Sequence, residues 1–448
     1  MNTFLVGITV FFLLIILVIF TREKMDYVGY SLLFALIAAL LTAFLVPIED
    51  GLSYVPWLDQ DAGPAVVWFW VFFNIIHFRP ILFIIGMQLV VAMIEKHKIF
   101  QWIAIKTLHF TKGNHRLFFY LISTLAILTS AVLEDVTVAV LFIPLVIRAC
   151  RILKIRSAPF LYSITITINI GALMTPFSTA KNVLIASEFN LDLVWFIRNL
   201  GPFVIVSYVV TLVLLDLFLV KKNNPPKEKQ KKLLLEIMDP EIVIVNPTMF
   251  KLNSVFFVGL LVGLLAFSGH SYLVVFIGGV AMCLLNRVHF VNVFTEIDLD
   301  VVFFFIALFL LIGTMQIVGV FDLISESLAV VDLEDLLLVA LGVLVFSSLM
   351  SAMLASNPTA IFLLILLTNL YPGSVPNILI IALILGLDLG GNLLPQGGTC
   401  DLLTLNLAKK NKVRGFSYKS LFKIGGGMAI IHIIFSAGYL IFYYYFMM

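Results

Sequence analysis

Charged side chains are scarce in this chain, so the few that interrupt apolar sequence are the first candidates for chemistry. Glu134 and Asp135 stand side by side in the apolar run 117–147, within Leu133-Glu134-Asp135-Val136-Thr137. Lys181 lies in a second polar interruption, Gly171-Ala172-Leu173-Met174-Thr175-Pro176-Phe177-Ser178-Thr179-Ala180-Lys181-Asn182. Two more follow downstream, Ser356-Asn357-Pro358-Thr359 and Gly390-Gly391-Asn392-Leu393-Leu394-Pro395-Gln396-Gly397-Gly398-Thr399-Cys400-Asp401. A charge at the centre of a bilayer costs about 2.5–3.5 kcal/mol on insertion scales and usually marks a pathway. Glu134 and Asp135 are therefore candidate ligands for a coupling cation, or candidate proton carriers. The simpler alternative is that one of them caps a half-helix. Lys181 has active roles open to it as an anion anchor or proton carrier, and a passive one as the ion-pair partner of Asp135.

The neutral polar residues divide the same way. Asn182, Asn357, Asn392 and Asp401 offer ligands, or hydrogen bonds to backbone exposed in the breaks. Thr137, Thr175, Ser178, Thr179, Ser356, Thr359, Gln396 and Thr399 are oxygen ligands of the right kind, but such residues also join packed membrane helices. Gly171, Pro176, Gly390, Gly391, Pro395, Gly397 and Gly398 serve the backbone, breaking helices and allowing unusual dihedrals or close approach.

These residues need a scaffold, and the composition says which. The 448 residues are 62% hydrophobic and 12% charged, against about 45–50% and about 25% in soluble domains. Repeated apolar stretches of about 20 residues specify an all-α polytopic membrane protein with about 10–11 transmembrane helices. The net charge of +2 gives no footprint for nucleic acid. Cys150, Cys283 and Cys400 are too far apart for a disulfide framework or zinc motif. The seven histidines show no metal-ligand spacing, and the Trp68–Phe73 run reads as interfacial anchoring. No Gly-Lys-Ser/Thr phosphate loop, cofactor motif or nucleophile–base constellation is present, so neither an enzyme nor an ATP-driven motor is expected.

Lysine and arginine collect on the cytoplasmic side, and one threading satisfies all of them but Arg79, Lys181 and Arg198. Thr3–Phe20, without a preceding basic residue or a small-residue cleavage site, is a retained span running inward to Arg22 and Lys24. Tyr27–Ile48 returns outward to an acidic loop with Glu49, Asp50, Asp59 and Asp61. Pro80–Ile94 then comes back to Lys96 and Lys98, and Phe100–Thr111 is short enough to lie in the interface. The run 117–147 has basic residues at both ends and is too short for two crossings. It is expected to be a re-entrant hairpin with its tip at Glu134-Asp135, and non-helical backbone at that depth requires protein or an aqueous cavity around it. A broken helix, 159–190, crosses outward and Trp195–Val220 returns. Residues 221–252, with seven lysines, form a cytoplasmic linker.

The second half, 253–448, repeats the plan inverted. It has two spans (253–269 and 271–286), a crossing at 301–320, and an acidic external segment from Asp322 to Asp335. A second hairpin (336–370), a second broken helix (377–408) and a last span near 421–446 follow. Gly171, Pro176 and Asn182 align with Gly390, Pro395 and Asp401, and Asp135-Val136-Thr137 with Asn357-Pro358-Thr359. Both termini are then external, in the plasma (inner) membrane. Inverted repeats with discontinuous helices are a transporter architecture: freed helix N-termini attract anions, and unwound carbonyls hold Na⁺ or accept protons.

Ser130-Ala131-Val132-Leu133-Glu134-Asp135-Val136-Thr137 resembles the S-A-F-L-D-N-V-T motif of the ion transporter superfamily, nearest its arsenite permease, P-protein and citrate-transporter-like branches and related to the divalent anion–sodium symporters. Arg151–Ile155 through Asn169-Ile170-Gly171, Asp298–Gly319, Ser351–Thr359 and Leu389-Gly390-Gly391-Asn392 extend the resemblance in order from about residue 79 onward. It implies a scaffold and a moving transport domain, a homodimer, and elevator-like motion. The chain departs from the pattern twice. The family's D-N is Glu134-Asp135, and its G-D-P-P-N is Ser178-Thr179-Ala180-Lys181-Asn182, which gives Lys181 a further role as a fixed ammonium where a homologue holds Na⁺. The expected activity is secondary transport of a small anion (arsenite-, citrate- or dicarboxylate-like) coupled to H⁺ or Na⁺. A sodium/proton antiporter is the first alternative, and a channel or the membrane subunit of a motor-driven pump the second.

Overall fold

Apolar runs bounded by caps and prolines fold here as helices. Asp26 accepts from Gly29 N at 2.9 Å at the start of one, and Asn114 accepts from Arg116 N and Leu117 N at the start of another. Pro64, Pro159, Pro202 and Pro247 occupy first-turn positions, where the missing N–H costs nothing. The structure, a computed structural model, describes residues 3–20, 25–58, 63–288, 293, 297–328, 335–354 and 356–447. Of the charges that orient the chain, Arg22, Lys24, Asp59, Asp61, Asp332 and Glu334 lie outside the described residues.

The first part of the chain gives α1 (Thr3–Phe20), α2 (Tyr27–Leu45), α3 (Ile48–Leu52), α4 (Pro64–Ile75), α5 (Phe78–Lys96) and α6 (Ile99–Phe110). Next come α7 (His115–Ser130), α8 (Asp135–Leu153), α9 (Ala158–Ala172), α10 (Ala180–Glu188), α11 (Leu193–Asn199) and α12 (Gly201–Leu215), which continues as a π-helical turn at Asp216–Val220. After α13 (Glu228–Ile237) come α14 (Pro247–Ala266), α15 (Ser271–Leu285), α16 (Leu299–Ile317) and α17 (Val320–Leu328). The chain ends with α18 (Leu336–Leu354), α19 (Ser356–Leu370), α20 (Asn377–Gly390), α21 (Thr399–Lys410) and α22 (Tyr418–Phe446). Among the described residues, eight helices have the length and apolarity to cross a membrane, and seven shorter apolar ones accompany them. The protein is an all-α polytopic membrane protein.

Helices end where the polar interruptions begin, between α7 and α8 (131–134), α9 and α10 (173–179), and α20 and α21 (391–398). Two elements differ from expectation: α18, at 19 residues, has the length and apolarity of a spanning helix rather than a half-helix, and so does α8. At α8 the extra length comes from its running beyond Ile147 through Arg148 and Arg151. The Trp68–Phe73 run is helical, with Trp68 and Val71 packed in a small cluster with Val55 and Val67.

Two packing groups emerge. In one, α2 packs on α1 and α16, and α5 on α14 and α15. In the other, α9 packs on α7, α8, α12 and α20, while α20 packs on α18, α19 and α22. Lipid offers no hydrophobic drive between helices, so close backbone approach must hold them. A Cβ on Gly86 would lie 2.6 Å from Phe276 Cα, fixing α5 against α15. A Cβ on Gly171 would overlap Ser130 Oγ, and one on Gly390 would lie 2.6 Å from Ser348 Cα. The α7–α9 and α18–α20 crossings therefore use the same glycine-on-serine device.

Candidate functional site

Two zones form around the helix breaks. The first is a cavity of about 620 Å³ whose lining includes Glu134, Thr137, Asn357 and Thr399. Glu134 and Thr137 come from the N-terminus of α8, Asn357 from that of α19 and Thr399 from that of α21, so three helix N-termini border one space. Its other wall carries Tyr27, Gln88, Glu95, Lys96 and Asp298 from α2, α5 and the start of α16. Gln88 Nε2 donates to Asp298 O at 3.3 Å, while Gln88 Oε1 is buried without a donor.

Behind the cavity lies the second zone, a buried polar junction. Lys181 Nζ is 2.7 Å from Asp388 Oδ1, and both side chains are almost fully enclosed, at 6% and 1% exposure. Asn182 Nδ2 donates to Asp388 Oδ2 (3.2 Å), to Ala172 O (2.9 Å) and to Ser178 Oγ (3.3 Å). Asn169 Nδ2 donates to Asn392 Oδ1 at 2.7 Å. The break after α9 and the end of α20 are thus tied by one ion pair and two amide contacts. The expected partner of Lys181, Asp135, is not its ion-pair partner; Asp388 is. Lys181 lies in the first turn of α10 and its ammonium meets Asp388 on α20, with Asp135 also within electrostatic reach. Asp135 is left with Oδ1 buried and unpartnered, and so is Asp401, which lies within electrostatic reach of Asp135.

Several candidates prove to be local braces. Thr175 Oγ1 donates to Ala131 O and accepts from Phe177 N, tying the break to the tip of the α7–α8 pair. Ser178 Oγ donates to Ala172 O at 2.5 Å, and Thr179 caps α10 by accepting from Asn182 N. Glu134 sits at the N-cap of α8 without making a side-chain cap bond, which leaves its carboxylate to the cavity. Thr359 is buried and Ser356 half-buried at the start of α19. Gln396 is exposed and accepts from Tyr418 Oη. None of the break glycines takes a positive φ; Gly171, Gly390 and Gly397 serve close approach instead.

Asp388 is the residue that sequence reasoning missed, although it is the one charge in the apolar run 377–390. An intramembrane carboxylate is a pathway or pairing candidate by its position alone. Gln88 and Asp298 offered no such signal, since they reach the cavity only through the packing of α5 against the α16 end.

Comparison with known proteins agrees with this architecture. The sequence model of the citrate transporter family (CitMHS) matches residues 12–386, with a second match over 273–447. The arsenical pump membrane protein of Escherichia coli is 25% identical over 421 residues, 91% of this chain and 92% of that protein. The 46 kDa membrane protein of Mycobacterium leprae (strain TN) is 25% identical over 345 residues, 75% and 79% of the two chains. A P protein of Mus musculus is 27% identical over 161 residues, 34% of this chain but 19% of that protein. The crystal structure of the Alcanivorax borkumensis YdaH transporter superposes with a TM-score of 0.58 at 12% identity, covering 92% of this chain and 98% of that one, a likeness of fold. A match of the family pattern across both breaks, on helices arranged around a cavity between them, makes this chain a member of the citrate transporter family and an integral membrane transporter.

Proposed function

We propose that the chain is a secondary transporter that exchanges a small oxyanion or oxyacid for protons by elevator-type alternating access. One observation carries this reading: the cavity of about 620 Å³ is bordered by residues from the breaks of both halves, Glu134 and Thr137 on one side and Asn357 and Thr399 on the other. Helix N-termini favour oxygen-rich, electron-dense ligands, while Glu134 supplies a carboxylate at the same wall. Protons rather than Na⁺ fit the coupling, because the ammonium of Lys181 already stands against Asp388 where a bound cation would otherwise neutralise it. The arsenical pump membrane protein, similar along nearly its whole length, favours an arsenite-like substrate over citrate or a dicarboxylate.

The glycine-on-serine crossings support reading 1–220 and 253–448 as inverted repeats joined by a cytoplasmic linker, 221–252. In that reading both termini are external and the cavity, beside Glu95 and Lys96, opens to the cytoplasm. The α9–α20 group moves and the α2–α5–α16 group stays as scaffold, in a homodimer. A second reading, sodium/proton antiport, draws on the unpartnered oxygens of Asp135 and Asp401. The test is purified protein in liposomes holding a pH-sensitive dye and an acidic lumen. Alkalinisation on adding arsenite, citrate or a dicarboxylate, absent with Na⁺, Li⁺ or K⁺, supports the proposal. Alkalinisation by Na⁺ or Li⁺ alone, lost in Asp135→Asn, overturns it in favour of the antiporter. A non-saturating flux without counterflow indicates a channel, and dependence on a copurifying ATPase a pump subunit.

A further inference from the structure

Three voids line up along α5. At its C-terminal end is the cavity already described, which touches Gln88, Val91, Ala92, Glu95 and Lys96. At its N-terminal end is a separate pocket of about 210 Å³, lined by residues that include Arg79, Pro80, Ser187, Asn190 and Tyr272. Between them lies a void of about 50 Å³ that shares Gln88, Val91, Glu134 and Thr137 with the large cavity, and Phe83, Phe177 and Val183 with the far pocket. The path across the protein is therefore nearly continuous. Where the small void meets the far pocket, Phe83 and Phe177 stack with ring centroids 5.5 Å apart and planes inclined at 17°.

The two rings come from different packing groups. Phe83 is on α5, held by the backbone contact of Gly86 with Phe276 on α15. Phe177 sits in the break between α9 and α10, in the segment that Thr175 and Ser178 brace and whose neighbour Lys181 is paired with Asp388. Stacked rings of this kind attract each other only modestly beyond their burial, enough to form the contact and little enough to break it in each cycle. Both rings are almost fully buried, at 2% and 8% exposure, and neither has a polar atom to offer a substrate or a proton.

We infer that the Phe83–Phe177 stack is the far-side gate of the transport pathway, a contact between scaffold and moving body that keeps the cavity from communicating with the pocket at Arg79. The inference rests on the alternating-access reading given above, and it makes these two aromatic residues the determinants of tight coupling. Truncating either ring joins the three voids into one path and turns a carrier into a leak.

The experiment uses the full chain with Cys150, Cys283 and Cys400 replaced by Ala and a single reporter, Thr137→Cys in the cavity or Ser187→Cys in the far pocket. A membrane-impermeant thiol reagent is applied in turn to each face, using right-side-out cells and inverted vesicles. Expected without further change is fast labelling of the two reporters from opposite faces. With Phe83→Ala or Phe177→Ala, labelling of the Thr137→Cys reporter from the Ser187 face accelerates at least tenfold while its rate from the other face is unchanged; Phe177→Leu retains most of the seal. A rise on one face matched by a fall on the other is a shift of conformational equilibrium and overturns the gate, as does no change in either Ala variant. Unchanged labelling of the Ser187→Cys reporter shows that each variant is folded. Failure of substrate-driven proton flux in liposomes sinks the proposed function instead and leaves this labelling pattern standing.

Discussion

Replacing Lys181 with Met removes the ammonium 2.7 Å from Asp388 and leaves that carboxylate, 1% exposed, with Asn182 as its remaining donor. Breaking one side of a buried ion pair costs about 3–5 kcal/mol, because the orphaned charge keeps its desolvation penalty. Taking an unfolding entropy of about 2.1 cal/mol/K per residue over the 448 residues, each kcal/mol lowers Tm by about 1 °C, so Lys181→Met should lose about 3–5 °C. Asp388→Asn should lose less, because Lys181 keeps Asp135 within electrostatic reach as a fallback partner. The double variant leaves no orphan at this position, and its loss should fall about 2 kcal/mol short of the sum, inside the range seen for contacting pairs. The assay is built into the molecule: Cys150, Cys283 and Cys400 are free and buried, so a thiol-reactive fluorophore reports their exposure on heating in detergent. Additive losses, or a Lys181→Met Tm within 1 °C of the parent, would refute the claim that this pair joins the two breaks.

The same melting assay checks three further expectations. Gly390→Ala, with Ser348 Cα only 2.6 Å from the new methyl, should lose about 1–3 kcal/mol through overpacking, whereas Gly259→Ala, with nothing within 4 Å, should be neutral or gain about 0.5–1 kcal/mol. Arg116→Ala strips the two-pronged partner from Asp216, leaving Tyr120 Oη at 2.9 Å, and should lower Tm; Arg116→Lys should recover only part of the loss. Glu228→Gln should leave Tm within about 1 °C, since an exposed pair contributes little. The Lys231 hydrogen bond holds the Glu228 carboxyl below its usual range, so whatever it contributes is present above the ordinary carboxylate pKa and disappears as pH falls through the lowered value.

The fold was legible because the bilayer leaves few choices: apolar runs must be helices, and the breaks at 173–179 and 391–398 fall inside the polar interruptions marked in sequence. Site residues were legible where a charge broke an apolar run, as at Glu134, Asp135 and Lys181. Pairing was not. Asp388 lies more than 200 residues from Lys181, and its place as the one charge in the apolar run 377–390 marks it as a candidate without naming its partner. Gln396 shows that a place in a break does not fix a side chain's surroundings, since it lies on the surface beside Tyr418. The Phe83–Phe177 stack was invisible for a third reason: with 41 phenylalanines in the chain, ring identity carries no information until two rings face each other.

The two halves match in their crossings but not in their charges, and that mismatch assigns separate duties to the two zones. The first break contributes Lys181 and the end of α20 contributes Asp388, so an attractive pair forms across the junction. With Asn182 on Asp388 and Asn169 on Asn392, the junction is a brace, and its residues should govern stability. The cavity wall, by contrast, holds Glu134, Thr137, Asn357 and Thr399, which border open space. Thr137→Val and Asn357→Ala should therefore leave Tm within about 1 °C, since changes away from braced or packed features stay within about 0.5 kcal/mol. They should nevertheless raise the half-saturating substrate concentration in the liposome assay about fivefold or more, as expected when one hydrogen bond worth about 1 kcal/mol is lost. A large drop in Tm with unchanged saturation would reverse the assignment, making the wall the brace and moving the substrate to the Lys181 junction.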